Sequence, residues 1–253
     1  MNRKYILINT IALALTVAVN YLSNTGYLNG ETMSTVSSRY ENLFTPAGYA
    51  FSIWGLIYFG LAAFLVYLYR RTSMARHEVE LTWWFVLSCL ANMSWVIAWL
   101  YLQITLTVIL MVFLLVCLLR IVKIVDAEVG KASLRKRLML WMPFSIYSGW
   151  VTVALIANMA AWLTKLEWNR WGLAETAWAY IMISIAVLIN LFMMWSRRMT
   201  GFNITGAWAL SAIAVANWNA ERSVSIWAIT GSVILLINII VVMSGRNRRN
   251  VTA

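Results

Sequence analysis

The chain has 253 residues, of which 62% are hydrophobic and 11% charged, and its mean hydropathy is +0.74. A soluble domain carries roughly 25% charged residues, so this composition excludes a water-soluble globule and points to lipid as the solvent. The net charge of +11 would suggest a polyanionic partner in a soluble protein, but here the basic residues lie between apolar runs, and no nucleic-acid partner is expected.

Apolar runs of about 20 residues cross the hydrocarbon core as helices. Eight are read in chain order: Tyr5–Leu22, Tyr49–Tyr69, Leu81–Gln103, Thr105–Leu119, Trp141–Leu163, Ala177–Trp195, Phe202–Trp218 and Ile226–Met243. The predicted fold class is thus all-α, a polytopic membrane helix bundle of about eight spans. The first run follows Arg3 and Lys4, as a secretory signal would. Ala18, Val19 and Asn20 make a poor small-x-small cleavage site, so an uncleaved first helix is expected. The connection from Ser23 to Gly48 is long and polar. Pro46 near its end suits a helix start, with Thr45 as a candidate cap. Runs three and four are almost contiguous, which predicts a tight hairpin. The seventh run is short and holds Ser211 and Asn217.

Placing the amino terminus in the cytoplasm puts sixteen of the 20 Lys and Arg inside. They include Arg3 and Lys4, Arg70, Arg71 and Arg76, a run from Lys131 to Arg137, and Arg246, Arg248 and Arg249. Only Arg39, Lys165, Arg170 and Arg222 remain outside. That split follows the positive-inside rule and predicts both termini in the cytoplasm. Removing the seventh helix would move the basic tail outside, so eight is the consistent number. A bacterial cytoplasmic membrane is the expected location. Cys89 and Cys117 lie within apolar runs and read as small buried residues; no metal site is expected.

Tryptophan collects at membrane interfaces, which accounts for most of the 15. Trp208, for example, is placed near the inner boundary. Trp54, Trp95, Trp99 and Trp150 are left over. Trp150 falls close to mid-bilayer, where an indole N–H needs a partner. Asn92, Trp95 and Trp99 are spaced i, i+3, i+7 and share a helix face. Tyr147, Trp150, Ala154 and Asn158 line another stripe. Around the start of the second helix stand Pro46, Tyr49, Phe51, Trp54 and Tyr58.

At these residues the chain resembles the TspO/translocator protein family, the tryptophan-rich sensory proteins. Pro46, Phe51, Trp54 and Tyr58 look like the family's loop motif, with Tyr49 where a Trp is usual. Asn92 and Trp95 match its third-helix motif, and Tyr147, Trp150, Asn158 and Trp162 its fifth-helix motif. Ala47 and Ser52 stand in place of prolines, Phe51 and Trp54 are one residue closer than usual, and Ile146 replaces the fifth-helix proline. The motifs divide the chain into a five-helix TspO-like region, 1–165, and three added helices with a basic tail, 166–253.

The resemblance implies a cavity lidded by the first long loop, able to take a porphyrin, a sterol or a related flat hydrophobic molecule. Pro46, Tyr49, Phe51, Trp54, Asn92, Trp95, Trp99, Tyr147, Trp150, Ala154 and Asn158 are then the ligand-binding candidates. Aromatic faces and small residues can line such a slot while Asn side chains orient a polar edge. The competing reading is that these side chains only pack helix against helix. A sensor-like binding protein, with membrane lipid and a second copy of itself in a homodimer as partners, is the leading expectation. A facilitator for an apolar solute is the alternative. No span carries an ionisable residue for ion coupling or a nucleophile–base pair for catalysis. No cofactor is expected beyond a tetrapyrrole ligand, and no catalytic residue is assigned.

Overall fold

The computed structural model describes residues 3–70, 77–129 and 134–251. Among the described residues the regular structure is helical throughout. Helix α1, Arg3–Leu22, buries Asn9, Leu13, Thr16 and Asn20, a stripe at helical spacing. It leaves Leu7, Ile11 and Leu15 exposed. This polarity is inverted relative to a soluble protein, because lipid solvates the leucines and the amides must find partners inside. Asn20 Nδ2 donates to Asn92 Oδ1 at 2.8 Å, and Asn9 Nδ2 donates to Thr82 Oγ1 at 3.4 Å. Both bonds join α1 to α4, Glu78–Leu100.

The connection after α1 folds into a short helix, α2, Met33–Arg39, opened by a reciprocal cap between Thr32 and Thr35. A 3-10 turn, Gly48–Ser52, leads into α3, Ile53–Tyr69. Thr45 is not the cap of that helix. Its Oγ1 accepts from the Asn42 N–H at 3.0 Å, and the Ala47 N–H reaches Ala212 O at 3.1 Å. The chain before α3 is therefore held by tertiary partners, which supply what a local cap would.

Helix α4 turns tightly at Tyr101–Gln103 into α5, Ile104–Val129, with Leu102 at φ 58°. The hairpin is as expected, but α5 runs ten residues past the apolar segment. Arg120 and Lys123 ride on this extension, and Asp126 pairs with Arg197 of α8, Glu175–Arg197, at 3.1 Å. One turn of helix, α6, Leu134–Lys136, and a π-helical turn, Arg137–Trp141, enter α7, Met142–Lys165, at Pro143. Two further helices follow: α9, Thr200–Ala216, and α10, Arg222–Val251. Of the sequence-based readings, Arg71, Arg76 and Lys131 lie outside the described residues, as do the side chains of Arg246, Arg248 and Arg249.

Seven helices are long and apolar enough to cross a membrane. The eighth apolar helix, α9, has 17 residues, about 25 Å at 1.5 Å per residue. It falls short in length and not in apolar character, and its surroundings allow that: α7, α8 and α10 surround it, so it meets protein where its neighbours meet lipid. Close approach is achieved through glycine. A Cβ on Gly149 of α7 would lie 2.2 Å from Thr205 Oγ1 and 2.7 Å from Phe202 Cα. Ser145 Oγ accepts the Phe202 N–H at 3.0 Å across the same contact. Helix α7 also touches α3 and α5, and is buried from Tyr147 through Val153 without a break. It is the central element, and α9 joins the last three helices to it. Cys89 and Cys117 are buried and free, as read.

Candidate functional site

Three helices bring the unexplained aromatics together. On α3, Trp54 stacks on Tyr58 one turn later, centroids 5.7 Å apart. On α4, Trp95 and Trp99 stack in the same i, i+4 manner at 6.0 Å. Trp54 stands between the two sets. It lies 6.3 Å from Trp95 and meets Tyr147 and Trp150 of α7 edge-on at 5.7 and 6.3 Å. Phe51 closes on Trp150 at 6.4 Å. Edge-to-face contacts at these separations are favourable for aromatic quadrupoles, so the rings form a braced wall.

The polar atoms of the wall divide into two classes. Trp95 Nε1 donates to Asn158 Oδ1 at 2.9 Å, and Asn158 Nδ2 passes the chain to Thr107 Oγ1 at 2.8 Å. Trp99 Nε1 donates to Met33 O at 3.2 Å, tying α2 to the wall. By contrast Trp54 Nε1, Tyr58 Oη and Trp150 Nε1 are buried and find no hydrogen-bond partner among the described residues. An unpaired buried donor is rare, because leaving it so costs about 1–3 kcal/mol.

Beside Trp150 the packing opens into a cavity of about 50 Å³. Trp95, Trp99, Trp150, Ala154 and Asn158 form its walls. Ser37, Tyr40, Thr45, Pro46 and Phe51 form its roof. Such a space holds a few waters and falls short of the roughly 300 Å³ at which small-molecule sites begin. The roof is pinned from two sides. Asn29 Nδ2 donates to Leu100 O at 2.5 Å on the α4 side. On the other, Asn217 Nδ2 donates to Leu43 O at 3.0 Å, and Trp208 Nε1 to Ala50 O at 3.2 Å. Trp208 is thus at the root of the roof and not at the inner boundary where the sequence reading put it. It lies eight residues into α9, about 12 Å along the axis. The lining offers ring faces, small residues, an amide and hydroxyls, the Tyr40 phenol among them, and no Asp, Glu, His, Lys or Arg. It can stack and hydrogen-bond a guest.

Residues 6–241 match the TSPO-like protein family. The chain belongs to that family. No curated protein and no solved structure matches it significantly. The TSPO-like match carries through α8, α9 and α10, which the sequence motifs do not reach.

In this TSPO-like chain the eleven residues singled out in the sequence are not all equivalent. Pro46, Phe51, Trp95, Trp99, Trp150, Ala154 and Asn158 line the cavity. Trp54 and Tyr147 stand behind them as bracing rings. Asn92 is fully buried on the same helix but turns to Asn20. Tyr49 is 45% exposed and packs edge-on against Trp208, so it does not reach the space. Sequence reasoning missed Ala157 and Ala161, although each lies three residues after a stripe member, Ala154 and Asn158, and so on the same helix face. It also missed Ser37 and Tyr40. Their signal was the Thr32–Thr35 pair that starts α2.

Proposed function

We propose that this TSPO-like membrane protein binds a flat hydrophobic molecule of the porphyrin or sterol type beneath its loop roof. The observation that carries this reading is Trp150 Nε1, a donor on a residue 3% exposed, without a partner among the described residues and beside a cavity face that is both aromatic and amide-bearing. A guest with an acceptor on its rim satisfies that donor while its faces lie against Trp95 and Trp99. Because the space is about 50 Å³, the roof segment 37–51 must move outward to admit a porphyrin. Binding and roof displacement are therefore one event.

Titration of the purified chain with protoporphyrin IX, read by quenching of tryptophan fluorescence, tests the proposal. Trp150→Phe is expected to weaken binding about tenfold, the worth of one hydrogen bond to a buried donor. Equal affinity in the wild type and in a Trp95→Phe, Trp150→Phe double variant would count decisively against it.

We infer in addition that both termini face the cytoplasm of a bacterial cell, from the sixteen-to-four division of Lys and Arg. Reporter fusions after Ala253 and within the connection between α7 and α8 should report opposite compartments; a shared compartment would overturn the topology.

A further inference from the structure

A larger cavity lies elsewhere. It measures about 300 Å³ and runs between α7 and α8, outside the aromatic wall. We propose that this groove is a binding site for one zwitterionic phospholipid of the leaflet on the side of the 23–52 connection.

Three features lead to that occupant. The first is depth. Glu175, Trp178, Met182 and Ile185 line the groove along one face of α8, and ten residues of helix rise about 15 Å. That is half of a hydrocarbon core about 30 Å thick, so the groove spans a single leaflet. The second is the gradient of polarity along it. Below the rim the lining is Ile156, Met159, Ala160, Leu163, Met182 and Ile185. Met159 and Ile185 are 43% and 44% exposed, which opens the groove sideways to the lipid. This is a bed for one alkyl chain.

The third feature is the charge at the rim, where Arg170 and Glu175 line the same space. Among the described residues the Arg170 guanidinium has no ion-pair partner, and Glu175 Oε1 accepts only the Leu43 N–H, at 3.3 Å. One fixed cation and one fixed anion complement a phosphate and an ammonium on a single headgroup. The rim is also held rigidly. Trp168, Trp171 and Trp178 pack on one another at 4.9 to 5.6 Å, and Trp178 Nε1 donates to Arg170 O at 2.8 Å. Indoles suit the headgroup level, and their faces add attraction for an ammonium.

Native mass spectrometry of the full chain, presented with equal amounts of phosphatidylethanolamine and phosphatidylglycerol of identical chains, tests this. One phosphatidylethanolamine per chain should survive activation that strips the phosphatidylglycerol. Arg170→Ala should lower its occupancy about tenfold, as expected for a lost charge-assisted contact. Glu175→Gln should erase the preference between the two lipids. Met159→Trp, at an exposed position, should block the groove to both while leaving protoporphyrin quenching unchanged. Adducts that persist unaltered in Arg170→Ala and Met159→Trp would overturn the site. So would a diacylglycerol of the same chains held as firmly as phosphatidylethanolamine, or a preference for phosphatidylglycerol.

Discussion

Trp95 and Trp150 carry the same ring and are almost equally buried, at 4% and 3% exposure, yet their N–H groups have opposite fates. Trp95 has Asn158, and Trp150 has no partner among the described residues. Replacing each by Phe removes the same atoms, so the difference between the two variants isolates the hydrogen bond. Trp95→Phe should destabilise the protein by about 1–2 kcal/mol more than Trp150→Phe, because it strands the Asn158 oxygen as well. Denaturant unfolding in a fixed detergent would check this, and equal losses would contradict it. The spacing of Asn92, Trp95 and Trp99 was enough to place them on one inward face. It could not say which polar atom would be satisfied, because Asn158 and Thr107 arrive from other helices. Asn92 shows the same limit: its partner, Asn20, lies 72 residues away.

At the scale of elements, hydropathy marked every long helix because lipid enforces it. It marked α9 least because that helix has only 17 residues and ends in the polar pair Ser211 and Asn217; surrounded by protein, it need not match the bilayer in length. What locates α9 is shape: the glycine at 149 and the small residues facing it. Gly149→Leu would drive a side chain into Thr205 and the Phe202 backbone. A loss of about 3 kcal/mol or more is expected, at the upper end for overpacking, and a thermal shift assay would register it. Helix α2 was illegible for the opposite reason. Seven residues make a helix too short to persist without a cap and tertiary cover, and its cover is Trp99. The roof it belongs to can be loosened without touching the cavity. Asn217→Ala removes the bond to Leu43 O and should speed amide exchange over residues 42–50 severalfold, with α4 unaffected. Unchanged exchange would mean that the remaining anchors carry the roof alone.

For the whole molecule, α8–α10 are structural partners of the cavity as well as additional spans. A fragment ending at Lys165 keeps Trp54, Trp95 and Trp150 but loses Ala212, Asn217 and Trp208, which hold the roof, and Phe202, whose amide meets Ser145. Such a fragment should insert into membranes and fail to quench with protoporphyrin. Retained quenching would show that the first five spans suffice. The division into lipid-facing and inward surfaces was readable from composition. The mutual dependence of the two ends of the chain was not, because in each of these bonds at least one partner is a backbone group, which leaves no signature in the sequence. The bond from the Ala47 N–H to Ala212 O also sets an order of events on the ribosome. A nascent chain halted anywhere before α9 would have its cover hinged on the α4 side alone, so the pocket can be shut along both edges only after α9 has emerged.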